Sequence, residues 1–164
     1  KAREAILLAA DIAAPSKRMV SLSLSDAFCV DRHRSSFIDF IKKHVNLLFA
    51  NEDEIKSLFE LSDTKDALNR CREICEMSAI TRGGLGSIVA CKDGTYEVEA
   101  EPVENILDTT GAGDAYAGGF IRGLALQKHP SICGKIGSIA ASEIISHFGA
   151  RPEKDLHTLI KSLI

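Results

Sequence analysis

The sequence predicts an α/β fold, a three-layer α/β/α arrangement around a mostly parallel sheet. Three observations lead there. Short apolar runs suited to strands alternate with longer amphipathic stretches suited to helices; parallel strands need crossovers, and a helix is the usual one. One run, VNLLFA at 45–50, is almost continuously apolar, as a strand buried on both faces should be. Apolar residues make up 45% of the 164, enough to bury a core, so residues 1–164 read as one domain.

In chain order, residues 1–14 read as a helix. RMVSLSLS (18–25) alternates apolar and polar side chains, as a strand does. SDAFCVDRHR (25–34) reads as a polar loop, either plainly solvated or contributing a site contact at a strand end, with Asp26 and Asp31 as candidates. SFIDFIKKH is helical, and VNLLFA is the buried strand. EDEIKSLFEL and TKDALNRCREICEM are amphipathic helices. SAITRGG and GSIVAC are strands parted by glycines. KDGTYEVEAEP is a hairpin turning at Asp93-Gly94. GDAYAGGFIRGLALQ and SICGKIGSIAASEIISHF are long helices rich in small residues, and an amphipathic helix from about Glu153 ends the chain.

Composition excludes several classes. The net charge of −3 comes with no basic stripe interleaved with aromatics, so nucleic acid is not an expected partner. No apolar run is long enough to span a bilayer, so no membrane is expected. The five cysteines form no CxxC pair and no zinc-ligand spacing, which suits reduced thiols in a cytoplasmic protein. The opening KAREAILLAADIAAPSK imitates a signal peptide faintly, but Glu4 and Asp11 interrupt it, and a surface helix explains it better.

The segment ILDTTGAGDAYAGGFIRG (106–123) carries the chemistry. Gly111 and Gly113 allow backbone angles that side chains forbid. With so little bulk at 111–113, successive N–H groups can face one anion at the positive end of a helix. Such a cradle suits a phosphoryl group gaining charge in a transition state. A carboxylate at Asp114 would repel phosphate, but it makes sense as a base for an attacking hydroxyl. The other reading is a glycine turn feeding an Asp-capped helix, with small residues for tight packing.

The full string DTTGAGDAYAGGFI (108–121) resembles the C-terminal signature of the ribokinase-like, or PfkB, family of carbohydrate and nucleoside kinases. The resemblance implies ATP-dependent phosphorylation of a sugar or nucleoside hydroxyl, with Asp114 as base and the amides of Gly111, Ala112 and Gly113 as anion hole. It gives meaning to weaker motifs. Asn51 and Glu54 in NEDE could form a helix capping box; they also match the family's N-x-x-E, which helps place magnesium and the phosphates. Magnesium takes few protein ligands, so Glu54 would act through water. Thr81, Gly83 and Gly86 in TRGGLGS match a T-x-G-x-x-G nucleotide contact, beside which Arg82 could add charge; otherwise they form a glycine connection. GSIAASEIISHFGARP resembles the adenine-side helix and loop. Ser138 and Ala141 would lie near base or ribose, and Gly149 and Ala150 would close the pocket, though small residues there would equally serve packing. In relatives that use a monovalent cation such as K+, Asp108 and the Thr110 carbonyl help bind it.

SDAFCVDRHR and LLFANEDEIKSLFE look most like the adenosine-kinase-like bacterial branch. Only the second half of the usual family length is covered, and the N-terminal glycine-rich signature and most sugar-contacting residues are absent. The chain begins at Lys1, within what reads as a helix, so it is expected to be the nucleotide half of a kinase. Its partners would then be the missing N-terminal half and a small-molecule sugar or nucleoside, with a homodimer left open. No G-x-x-x-x-G-K-[ST] occurs, and GAGDAYAGG does not fit G-x-G-x-x-G, which argues against P-loop and Rossmann enzymes. The alternative function is a non-catalytic nucleotide-binding module related to these kinases.

Overall fold

The computed structural model describes residues 2–164, so Lys1 lies outside the described residues. The elements run α1 (Ala2–Ala13), β1 (Ser21–Ser23), α2 (Ala27–His44), β2 (Leu47–Asn51), α3 (Glu52–Phe59), α4 (Thr64–Ile74), β3 (Met77–Thr81), a 3-10 turn (Gly83–Leu85), β4 (Ser87–Cys91), β5 (Gly94–Val98), α5 (Ala112–Ala125), α6 (Pro130–Ile145) and α7 (Leu156–Leu159), then a 3-10 turn at Lys161–Leu163. The five strands form one sheet in the order β1-β2-β3-β4-β5. The expected alternation of strand and helix is present, and β5 follows β4 through a turn at Lys92-Asp93, one residue earlier than expected, with Gly94 opening β5.

The chain divides into two compact units. Among the described residues the first comprises 2–80 and 90–93, the second 81–89 and 94–164. In the first, β1 pairs parallel with β2, Ser21 opposite Leu47 and Ser23 opposite Phe49, and α2 is the crossover between them. Leu47, Leu48, Phe49 and Ala50 are all buried, which is why this run shows no alternation. Val30 and Ile41 of α2, Ile55 and Leu58 of α3, and Ala67, Leu68 and Cys71 of α4 add to the buried apolar set.

Two expectations fail locally. Of residues 25–34, expected as a loop, only Ser25 and the cap Asp26 lie outside a helix. Asp26 caps α2, its Oδ1 accepting the Phe28 amide at 2.8 Å, and the helix continues through a kink at His33 (φ −124°, ψ 21°). Asp31 pairs with Arg34 at 2.6 Å, and Arg34 also reaches Glu60 at 3.0 Å. The polar composition belongs to a surface helix turn, with Phe28 exposed. The helix expected from about Glu153 shrinks to Leu156–Leu159, because Asp155 stands as its N-cap in extended backbone (φ −68°, ψ 103°), after a segment whose Glu153 and Lys154 amides donate to Glu143.

In the second unit, α5 and α6 approach closely through their glycines. A methyl at Gly119 would lie 2.8 Å from the Ile136 carbonyl oxygen, and one at Gly123 would lie 2.9 Å from the Cys133 sulfur. At Gly137 a methyl would meet the Tyr116 carbonyl oxygen at 2.7 Å and the Tyr116 ring at 3.0 Å. The small residues therefore set the interhelical distance. Tyr116 anchors the pair through its hydroxyl, 2.8 Å from the buried Ser87 Oγ. Gly137→Ala is expected to lower stability by about 1–3 kcal/mol, the usual cost of overpacking a tight contact. A urea unfolding curve with unchanged midpoint would refute it.

Candidate active site

The candidate site of the second unit is built around the head of α5. Gly111 stands at the N-cap with φ +81°, and no side chain caps the helix. The Ala112 amide donates to the Thr109 carbonyl at 3.2 Å, and the Ala115 amide to the Gly111 carbonyl at 2.9 Å. The open donors are therefore Gly111, Gly113 and Asp114, rather than three consecutive amides at 111–113. Helix starts leave such donors unpaired unless a side chain, water or ligand takes them, and the helix dipole adds positive potential there. Gly113 and Asp114 are exposed, and nothing lies within 4 Å of where a Gly113 methyl would sit. The Asp114 carboxylate has no hydrogen bond or ion pair among the described residues.

Asp108 fixes this turn from below. Its Oδ1 accepts the Thr110 amide at 2.9 Å and its Oδ2 accepts the Gly149 amide at 3.1 Å. Hydrogen bonds from the Thr110 hydroxyl and amide, then the Gly149 amide, hold its carboxyl below the usual range. The same tie brings up Ala150: a methyl at Gly111 would fall 2.6 Å from the Ala150 Cβ. Glycine at 111 thus answers to two demands, a left-handed backbone and a neighbour already filling the side-chain space.

Beyond Gly149 the chain is held by Glu143. This buried carboxylate accepts the Glu153 amide at 3.0 Å and the Lys154 amide at 2.9 Å, both on Oε1. Its other oxygen lies 3.3 Å from His147 Nε2. Burial pushes the Glu143 carboxyl up, but the Lys154 amide, the His147 ring and the Glu153 amide together hold it below its ordinary value. The hydrogen bond to Glu143 in turn raises His147. No motif marks these two residues. The available signal was Glu143 in the last turn of α6, the one acidic side chain of a helix made mostly of small and apolar residues, with His147 four positions on, just past its C-cap.

The remaining candidates of this unit have defined places. Thr81 ends β3, half-buried, and Gly83 is exposed in the 3-10 turn that follows. Gly86 is required by backbone contact, since a Cβ there would lie 2.0 Å from the Val98 carbonyl oxygen. Arg82 points its charge to Glu97 of β5 at 3.2 Å and to the Leu85 carbonyl of the turn, so its charge is already engaged. Ser138 is buried; its hydroxyl accepts the Glu101 amide at 2.8 Å and donates to the Glu99 carbonyl at 3.4 Å, tying the segment after β5 to α6. Ala141 is half-buried on α6.

Asn51 and Glu54 belong to the first unit, where they form the capping box of α3. Asn51 Oδ1 accepts the Glu54 amide, Glu54 Oε2 accepts the Asn51 amide, and Glu54 Oε1 accepts Asn51 Nδ2, each at 2.9 Å. Burial raises the Glu54 carboxyl, and the Asn51 amide draws it partly back. Asn51→Ala removes the cap and is expected to cost about 1–2 kcal/mol; an unchanged urea midpoint would contradict this. Among the described residues no group of three or more His, Cys, Asp or Glu side chains could hold a metal ion. No helix among them is long and apolar enough to cross a membrane.

Comparison with known proteins bears on the family and the fold. The family described as pfkB family carbohydrate kinase matches residues 1–156. An uncharacterized sugar kinase of Archaeoglobus fulgidus is 37% identical over 113 residues, covering 68% of this chain and 44% of the relative. Two crystal structures superpose over the whole chain. One is a probable sugar kinase protein from Rhizobium etli (TM-score 0.97, 39% identity, 51% of that chain), the other adenosine kinase from Sinorhizobium meliloti (TM-score 0.96, 36% identity, 50% of that chain). The chain thus spans about half the length of the relatives it matches. The expected ribokinase-like α/β fold is the one these structures share with it. On the family match and the fold together, this chain belongs to the pfkB family of carbohydrate kinases.

Proposed function

We propose that this chain is the nucleotide-binding half of an enzyme that moves the γ-phosphoryl group of ATP to a hydroxyl of a sugar or nucleoside. The observation that carries the reading is the uncapped head of α5, with three open amides beside an unpaired carboxylate. In-line phosphoryl transfer asks a protein for positioning and charge stabilisation more than for covalent chemistry. The Gly111, Gly113 and Asp114 amides would stabilise the migrating group's equatorial oxygens. The Asp114 carboxylate would orient the acceptor hydroxyl and take its proton as the new P–O bond forms. Thr81 and Gly83 would border the nucleotide, with Ala141 and Gly149 toward its base. Ser138 and Gly86 would shape that border through the backbone segment they hold.

Magnesium, when bound, supplies positive charge across the phosphates. The donor set fits it, because both Glu54 oxygens take one hydrogen bond from Asn51 and keep a lone pair for a metal-bound water. Asn51 would act by holding Glu54, since its own carbonyl oxygen is occupied by the cap. Asp108 and the Thr110 carbonyl are the atoms proposed for a monovalent cation.

Adenosine is the proposed acceptor, supported by the identity to the Sinorhizobium meliloti adenosine kinase. The rest of the domain would supply most contacts to it. A panel of nucleosides and sugars, tested with MgATP on the full-length protein, should show phosphorylation of adenosine above the others. Turnover of a sugar alone would move the acceptor assignment, and nucleotide binding without turnover on any acceptor would overturn the kinase reading.

A further inference from the structure

Glu143 is a buried acid on α6 that the reaction does not use, yet it stands at the start of a short chain of contacts ending at the anion hole. Its Oε1 holds the amides of Glu153 and Lys154. Asp108 holds the amide of Gly149 at the other end of the same segment. Between these two anchors lies Ala150, whose Cβ occupies the space a Gly111 side chain would need. A carboxylate bound by two amides and an imidazole is a strong anchor, because charge-assisted bonds are shorter and stronger than neutral ones. A segment pinned at both ends cannot shift without pressing on, or withdrawing from, the turn between Asp108 and Asp114.

We propose that Glu143 is a positioning residue for phosphoryl transfer: by gripping the Glu153 and Lys154 amides it seats Ala150 against Gly111 and so sets the aim of the open amides at the head of α5. This rests on the kinase reading for its functional part, while the mechanical part stands on the contacts alone.

The test uses full-length protein with Glu143→Leu, which removes the acceptor, and Glu143→Gln, which keeps one oxygen for the two amides. Hydrogen exchange of the nucleotide-free protein reads the mechanical part. In Glu143→Leu, protection should fall both in the peptide containing 146–156 and in the one containing 108–115; in Glu143→Gln both should stay close to wild type. Loss confined to 146–156 would overturn the proposal. Steady-state kinetics read the functional part. The Leu variant should lose about tenfold to a hundredfold in kcat, the scale of a misplacement near 1 Å, with the acceptor KM little changed and most of the kcat regained in Gln. A fall in melting temperature with kcat per folded molecule unchanged would reduce Glu143 to a stabilising role and also overturn it. Should Glu143→Leu fail to fold, Glu143→Asp, too short to reach both amides, carries the same expectations. If wild-type protein phosphorylates no acceptor, the kinase reading fails, and the exchange measurement still decides whether Glu143 governs the turn.

Discussion

Asp114→Asn is expected to lower kcat by about 10²–10⁴-fold, the range general-base removal usually costs, while ATP binding stays intact or tightens slightly. The substitution keeps size and hydrogen-bonding shape but removes the proton acceptor. Asp114 is exposed and has no structural partner among the described residues, so stability should be little affected. Its backbone amide, one of the three open donors, is unaltered by the change. Removing a negative charge beside a polyphosphate relieves repulsion, which accounts for the direction expected of ATP affinity. Calorimetric titration with ATP and steady-state turnover on the best acceptor separate the two effects. Turnover near wild type would show that Asp114 is not the base and leave the α5 head as a binding feature only.

Gly111→Ala should damage both stability and turnover. At φ +81° an alanine pays the left-handed backbone penalty, and its methyl would be driven to 2.6 Å from the Ala150 Cβ. Together these should destabilise the protein by roughly 2–5 kcal/mol, the sum of the strain and overpacking ranges. The two causes can be parted. Ala150→Gly in the Gly111→Ala background removes the clash and leaves the backbone penalty, so it should recover part of the loss and never all of it. Urea unfolding of the two single variants and the double variant reads this directly. Additive effects would mean that the two residues do not press on one another. On the proposed mechanism activity should follow the same order, because relaxation of this contact shifts the turn that carries the open Gly111, Gly113 and Asp114 amides.

Several elements were legible because their reasons are local. β2 appears as a run of four buried apolar residues. The α3 capping box is written in Asn51 and Glu54, three positions apart. The α5 start is marked by Gly111 and Asp114. The α2 start was less legible: its first turns hold polar residues and an exposed Phe28, so no apolar periodicity reveals them, and the kink at His33 breaks what pattern exists. The C-terminal pattern was present in Leu156, Leu159 and Ile160. The helix it promises starts late, at the extended N-cap Asp155, and the segment before it is tied to Glu143, a contact no local pattern reveals.

By itself the sequence determined the class of fold, the family signature and the residue types suited to cradle an anion and to take a proton beside it. These depend on side-chain volume, backbone freedom and spacing within a few residues. Tertiary structure alone decided which amides stay open, since the Ala112 donor is spent on Thr109, and which small residues serve packing, since Gly119, Gly123 and Gly137 bring α5 against α6. It also decided that Ser138 binds backbone, that Arg82 turns to Glu97, and that Glu143 restrains the segment bearing Ala150. The physical reason is distance along the chain: Asp108 meets Gly149 and Gly111 meets Ala150 only after α5 and α6 have packed, and no short-range pattern encodes a contact made that far away.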